Sequence, residues 1–122
     1  MDAKPLTIDV WKDRGVAVVE PHDSILEHDV STFRSALAEA DRLAWIPAVV
    51  IVLDAVEFID AEALADILAE HRRLSSHGGR VALTRAKDRV ERLLLLTGCA
   101  SSLQTFASLE AALNALSPAN PR

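Results

Sequence analysis

One run of residues constrains this chain more than any other feature. Ala48-Val49-Val50-Ile51-Val52-Leu53 is unbroken, apolar and mostly β-branched, and it stops at Asp54. A strand with one wet face alternates apolar and polar side chains; a continuous run belongs to a strand covered on both faces. The reading is a central, parallel strand in a layered α/β domain.

The residues on either side supply the rest of that domain. Leu6-Thr7-Ile8-Asp9-Val10 alternates as a half-buried strand does, and Gly15-Val16-Ala17-Val18-Val19 reads as a second strand. Asp13, Arg14 and Gly15 turn the chain between them, so the two form a hairpin. Pro21 to Glu27 is a loop. From about His28 the period changes: Val30, Phe33, Leu37 and Ala40 stack on one helical face. A second helix begins at the N-cap Asp60 and runs to about Ser76, with Leu64, Ile67, Leu68 and Leu74 as its core stripe and His71 in line.

Gly78-Gly79 stops that helix, and Arg80 to Leu83 is the next strand. Val90, Leu93, Leu94 and Thr97 mark a third helix ended by Gly98. Leu103 to Phe106 is a weak last strand, and Ser108 caps a final helix through Leu116. The order β-β-α-β-α-β-α-β-α predicts a mixed, largely parallel sheet with about four helices. One domain accounts for residues 1–122, with its core over about 6–116 and a mobile polar tail over 117–122.

Composition narrows the chemistry. The formal net charge is −5, which argues against nucleic acid, whose phosphates need clustered Lys and Arg. Cys99 is the only cysteine, so neither an internal disulfide nor a thiolate metal cluster can form. The first ten residues lack the basic-then-apolar pattern of a secretory signal. The apolar stretch Trp45 to Leu53 is broken by Pro47 and falls far short of the ~20 residues that span a bilayer. The expectation is a cytoplasmic protein with no direct membrane insertion.

Signs of catalysis are sparse. The four glycines form no G-x-S-x-G elbow, P-loop or dinucleotide fingerprint. His22-Asp23 and Glu27-His28-Asp29 hold metal-ligating residue types, but a solvated loop whose aspartates cap the first helix explains them, and no metal is expected. His71 and His77 read as structural. Glu57, Asp60 and Glu62 cluster where a helix starts, and negative charge there is favoured by about 0.3–1 kcal/mol for structural reasons alone. The reading is a protein that is not an enzyme and carries no cofactor. Leu93 to Leu96 is wider than one stripe needs; most of it is assigned to the core and part to an exposed contact patch.

The stretch Val49 to Asp60 resembles the central motif of the STAS domain, the family of bacterial anti-anti-sigma factors (anti-sigma factor antagonists) and of a cytoplasmic domain of sulphate transporters. Arg80-Val81-Ala82-Leu83 after Gly78-Gly79, then Val90 through Gly98, then Phe106, Ser108 and Leu109 to Leu113, resemble its later parts in order and spacing. The likeness runs from about Leu6 to Leu116. It implies partner switching: in anti-anti-sigma factors the loop after the central strand and the start of the next helix bind an anti-sigma kinase. A serine there accepts phosphate, whose −1.5 to −2 charge breaks the packed interface.

Carried onto this chain, the resemblance marks Asp54, Glu57, Phe58, Asp60, Ala61, Glu62 and Ala63. Family members read Asp-Ser-Ser-Gly where this chain reads Asp60-Ala61-Glu62-Ala63, so no hydroxyl remains at either serine position. Two readings of Glu62 stand side by side: a permanent stand-in for phosphoserine, or simply a good helix start. The implied partner is an anti-sigma factor or serine-kinase-like protein, bound without phosphorylation at residue 62. A switch that had moved would use Ser24, Ser31 or Thr32. The alternative is a small subunit of a membrane lipid-transport complex docking on its ATPase. A homodimer is left open.

Overall fold

The computed structural model describes residues 4–117. A hairpin of β1 (Ile8–Asp13) and β2 (Val16–Pro21) opens the fold, and a single 3-10 turn (Glu27–Asp29) leads into α1 (Val30–Leu43). There follow β3 (Ala48–Val52), α2 (Ala61–Ser75), β4 (Arg80–Thr84), α3 (Asp88–Thr97), a second 3-10 turn (Cys99–Ser101), β5 (Gln104–Phe106) and α4 (Leu109–Leu116). The five strands lie in chain order, β1 antiparallel to β2 and every later neighbour parallel. This is the mixed α/β architecture expected from the sequence. The tail expected over 117–122 falls, from residue 118 onward, outside the described residues.

The continuous run occupies the centre of the sheet, and all five residues of β3 are buried. Val49, Ile51 and Leu53 face a core with Phe33 of α1, Ile67 of α2 and Leu94 of α3. Val50 and Val52 face a smaller core with Ala112, Leu113 and Leu116 of α4. Each parallel step moves to the adjacent strand in the same direction. Right-handed crossovers therefore put α1, α2 and α3 together on one face. Among the described residues, α4 is the helix that covers the other.

Local chemistry sets the ends of these elements. Asp60 caps α2, its carboxylate accepting from the Glu62 amide at 2.9 Å. Ser108 does the same for α4 through the Ala111 amide at 3.0 Å. Gly98 ends α3 in the left-handed region at φ +79°. Gly79 is required for a different reason: a Cβ there would sit 1.5 Å from the carbonyl oxygen of Pro47.

His71 proves structural in a specific way. The Arg80 amide bonds back to Pro47, so the next amide, Val81, points toward β5, whose pairing with β4 begins only at Ala82. The Nδ1 of His71 accepts that amide at 3.1 Å and completes the ladder from α2. The leucine run departs from expectation. Leu94 is buried and Leu93 half-buried, but Leu95 is 70% and Leu96 79% exposed. A helix packed on one side buries a single stripe, here Val90 and Leu94, and residues 95 and 96 lie on its outer flank.

Candidate functional site

The marked residues lie at the carboxyl end of β3, where open α/β sheets form their binding crevices. Pairing continues one residue beyond the strand through the Leu53 amide to the Thr84 carbonyl, and a turn closes from the Val56 amide to Leu53. Val56 and Ile59 are buried and anchor the loop; Glu57 and Phe58 between them are exposed. The sequence thus produces a tip with two apolar feet and an outward aromatic ring.

The loop leading from β2 to α1 holds this tip. Ser24 Oγ accepts from the Glu57 amide at 3.1 Å and the Phe58 amide at 3.0 Å. The Ile25 amide donates to the Phe58 carbonyl at 2.9 Å, and the Asp60 amide donates to the Ile25 carbonyl at 2.7 Å. Ile25 and Ile59 form an isolated parallel bridge, so two loops behave as a short extra ladder. On the other flank Asp54 pairs with Arg85 at 3.0 Å and Glu57 with Lys87 at 3.2 Å. Arg85 adopts φ +56°, unusual for a non-glycine residue, and its amide is held by the Phe106 carbonyl.

Beyond the tip, Asp60 spends its carboxylate on the helix cap. Ala61 and Glu62 are exposed at the first turn, whereas Ala63 is fully buried and belongs to the core. Arg34 of α1 pairs with Asp66 at 2.7 Å; Asp66 first, and Glu62 more weakly, raise its already high pKa.

Between the tip and α3 lies an apolar groove of about 360 Å³. Phe58, Ile59, Val90, Leu93 and Leu96 form its walls, and Glu57, Arg89 and Arg92 supply charge. Phe58 is 44% exposed and Leu96 79%. The structure therefore gathers Glu57, Phe58, Asp60, Ala61 and Glu62 into one surface, with Asp54 in the loop behind them and Ala63 in the core. Sequence reasoning missed Ser24 as the residue that holds the tip; it read an exposed patch in Leu93 to Leu96 but did not join it to the tip. The excess width of the leucine run was the signal for α3; nothing local pointed to the role of Ser24.

The histidines of the 22–29 segment do not converge. His22 Nε2 lies 2.8 Å from Asp9 Oδ2 across the hairpin, while His28 lies 3.4 Å from the buried carboxylate of Asp29. Asp29 instead accepts the Leu26 amide at 3.0 Å and closes the turn before α1. Asp9, Glu20 and His22 hold donor atoms within 4.8 Å of one another on the hairpin surface. No helix among the described residues is long and apolar enough to cross a membrane.

Comparison with known proteins adds to this geometry. No curated protein matches the chain. An anti-sigma factor antagonist from Mycobacterium paratuberculosis is similar at 27% identity and TM-score 0.78, over 91% of this chain and 93% of its own. An anti-sigma-factor antagonist (STAS) domain protein from Planctomyces limnophilus shares the fold at 24% identity and TM-score 0.73, over 88% and 96%. SpoIIAA, a Bacillus anti-sigma factor antagonist, shares it in its unphosphorylated form at 16% identity and TM-score 0.75, over 93% and 100%. The family model of the STAS domain matches residues 7–112, from the first strand through all three helices of one face and into α4, and the chain belongs to the STAS domain family.

Proposed function

We propose that this chain is a protein-binding regulatory module of the anti-sigma factor antagonist kind, without catalysis of its own. It binds an anti-sigma factor or a serine-kinase-like protein through the β3–α2 loop, the first turn of α2 and the flank of α3. The observation that carries this reading is the apolar groove joined to that turn, with Phe58 and Leu96 standing out on either side. Exposed aromatic and aliphatic side chains around a pocket, rimmed by charge, have the anatomy of an interface hot spot. The antagonist from Mycobacterium paratuberculosis, similar over nine-tenths of its length, supports the class of partner.

The carboxylates nearby have other work. Glu57 pairs with Lys87 and Asp60 caps α2. Glu62 places one negative charge at the first turn, where phosphate would place nearly two. The partner accordingly meets a surface whose charge does not change at this position.

The test uses the purified chain as bait in its native lysate beside Leu96→Asp and Glu62→Ser forms. An anti-sigma protein or histidine-kinase-like ATPase retained by the wild type and lost with Leu96→Asp supports the proposal. Glu62→Ser restores an acceptor hydroxyl, so phosphorylation by that ATPase should now weaken recovery. Transporter subunits retained equally by all three baits would overturn the proposal and leave an assembly module.

A further inference from the structure

Two acids and one base meet where α1 packs on α2, away from the partner surface. Arg73 Nη2 lies 2.6 Å from Asp41 Oδ1 of α1 and 3.0 Å from Glu70 Oε2 of its own helix. Both carboxyl groups thus share one guanidinium nitrogen, which holds the two acids close to each other. A carboxylate has only acceptors, so two ionised carboxylates held this close repel each other, and a proton on one of them relieves the repulsion. Counting charge leads to the same place. With both acids ionised the triad carries one uncompensated negative charge; with one acid protonated it is neutral. Burial decides which acid keeps the proton: Glu70 is 8% exposed and the Asp41 side chain 31%.

We propose that Asp41, Glu70 and Arg73 form a proton-sensitive clasp, closed between α1 and α2 when Glu70 is protonated and loosened when it ionises. The energetics place this change in a useful range. Burial first, and then the neighbouring Asp41 carboxylate, which accepts from a protonated Glu70, push the Glu70 carboxyl up to about 7, against the smaller opposing pull of Arg73. Arg34 and Asp66 line the same groove, but they neutralise each other at 2.7 Å. The clasp sits two turns along the helix whose first turn carries Glu62, so its state bears on the half of α2 remote from the partner.

Carbon-13 NMR of the Glu70 side chain in the full chain tests this directly. A midpoint near 7 is expected, and Asp41→Asn should move it down by removing the proton-sharing partner. Amide exchange in α2 from Ile67 to Leu74, corrected for intrinsic rate, should accelerate about tenfold between about pH 6 and about pH 8 in the wild type, because only the opened state ionises Glu70 freely there. Glu70→Gln keeps the neutral shape and should abolish that pH dependence. A wild-type midpoint in the ordinary range near 4.5, or equal pH dependence of exchange in wild type and Glu70→Gln, overturns the clasp. Should either variant fail to fold, the wild-type titration decides alone.

Discussion

Replacing Ser24 by alanine removes the side-chain oxygen that accepts two backbone amides of the β3–α2 tip. Its Oγ accepts the Glu57 and Phe58 amides at 3.1 and 3.0 Å, from a residue more than thirty positions away in the chain. An intramolecular hydrogen bond contributes a net ~0.5–1.5 kcal/mol. Glu57 and Phe58 are exposed, so water reaches the freed amides and the loss falls toward the low end of two such bonds, about 1–2 kcal/mol. At 1.4 kcal/mol per factor of ten, exchange of these two amides should accelerate about tenfold. The melting temperature should fall by roughly 3–8 °C for a domain of this size. Ser24→Thr keeps the oxygen and should retain most of the protection. The backbone bonds between Ile25, Phe58 and Asp60 remain in both variants, so the fold persists while the tip loosens. Hydrogen exchange read by NMR at Glu57 and Phe58 is the assay. Unchanged exchange in Ser24→Ala, or equal loss in Ser24→Thr, would refute the reasoning.

Other consequences follow from the same geometry. His71→Ala strips the Val81 amide of its acceptor, and urea denaturation should show a loss of about 1–3 kcal/mol; a change below about 0.5 would mean water replaces the imidazole. Gly79→Ala drives a methyl group into the Pro47 carbonyl, and more than about 3 kcal/mol or failure to fold is expected, with soluble yield and melting temperature as readouts. Leu96→Asp should leave stability within about 0.5 kcal/mol, because Leu96 is 79% exposed; a larger loss would place that side chain in the core. The raised Glu70 pKa has a definite sign in stability. Above about 4.5 the unfolded chain releases this proton while the folded chain keeps it until about 7, so stability falls across that window and levels off beyond it. At 1.36 kcal/mol per unit the loss is at most about 3 kcal/mol. The difference between wild type and Glu70→Gln cancels the other titrating groups and should show it, whereas a wild type that gains stability relative to Glu70→Gln would reject it.

The sequence carried the elements and their inner faces. The β-branched run from Ala48 announced a strand buried on both sides, and Asp60 announced a helix start; both hold because periodicity and capping are local properties. The likeness to the STAS domain marked the tip from Asp54 to Ala63 for the same reason, since that segment is contiguous in the chain. It did not reveal that Ala63 turns into the core, and the leucine run, assigned mostly to the core with part as an exposed patch, has half of its residues facing solvent.

What the tertiary structure alone decided is which distant residues meet. Ser24 reads in the sequence only as a candidate site for a moved switch; its role in holding the tip emerges when strand order brings the β2–α1 and β3–α2 loops side by side. Phe58 and Leu96 become the walls of one groove only because α3 packs beside that tip. Glu70 looks like a solvent-facing helical residue until Asp41 arrives from α1 and closes over it. Local sequence sets the turn a residue makes and the face it occupies. Contacts across loops of tens of residues are settled by how the sheet orders its strands, and the candidate site is built from those contacts.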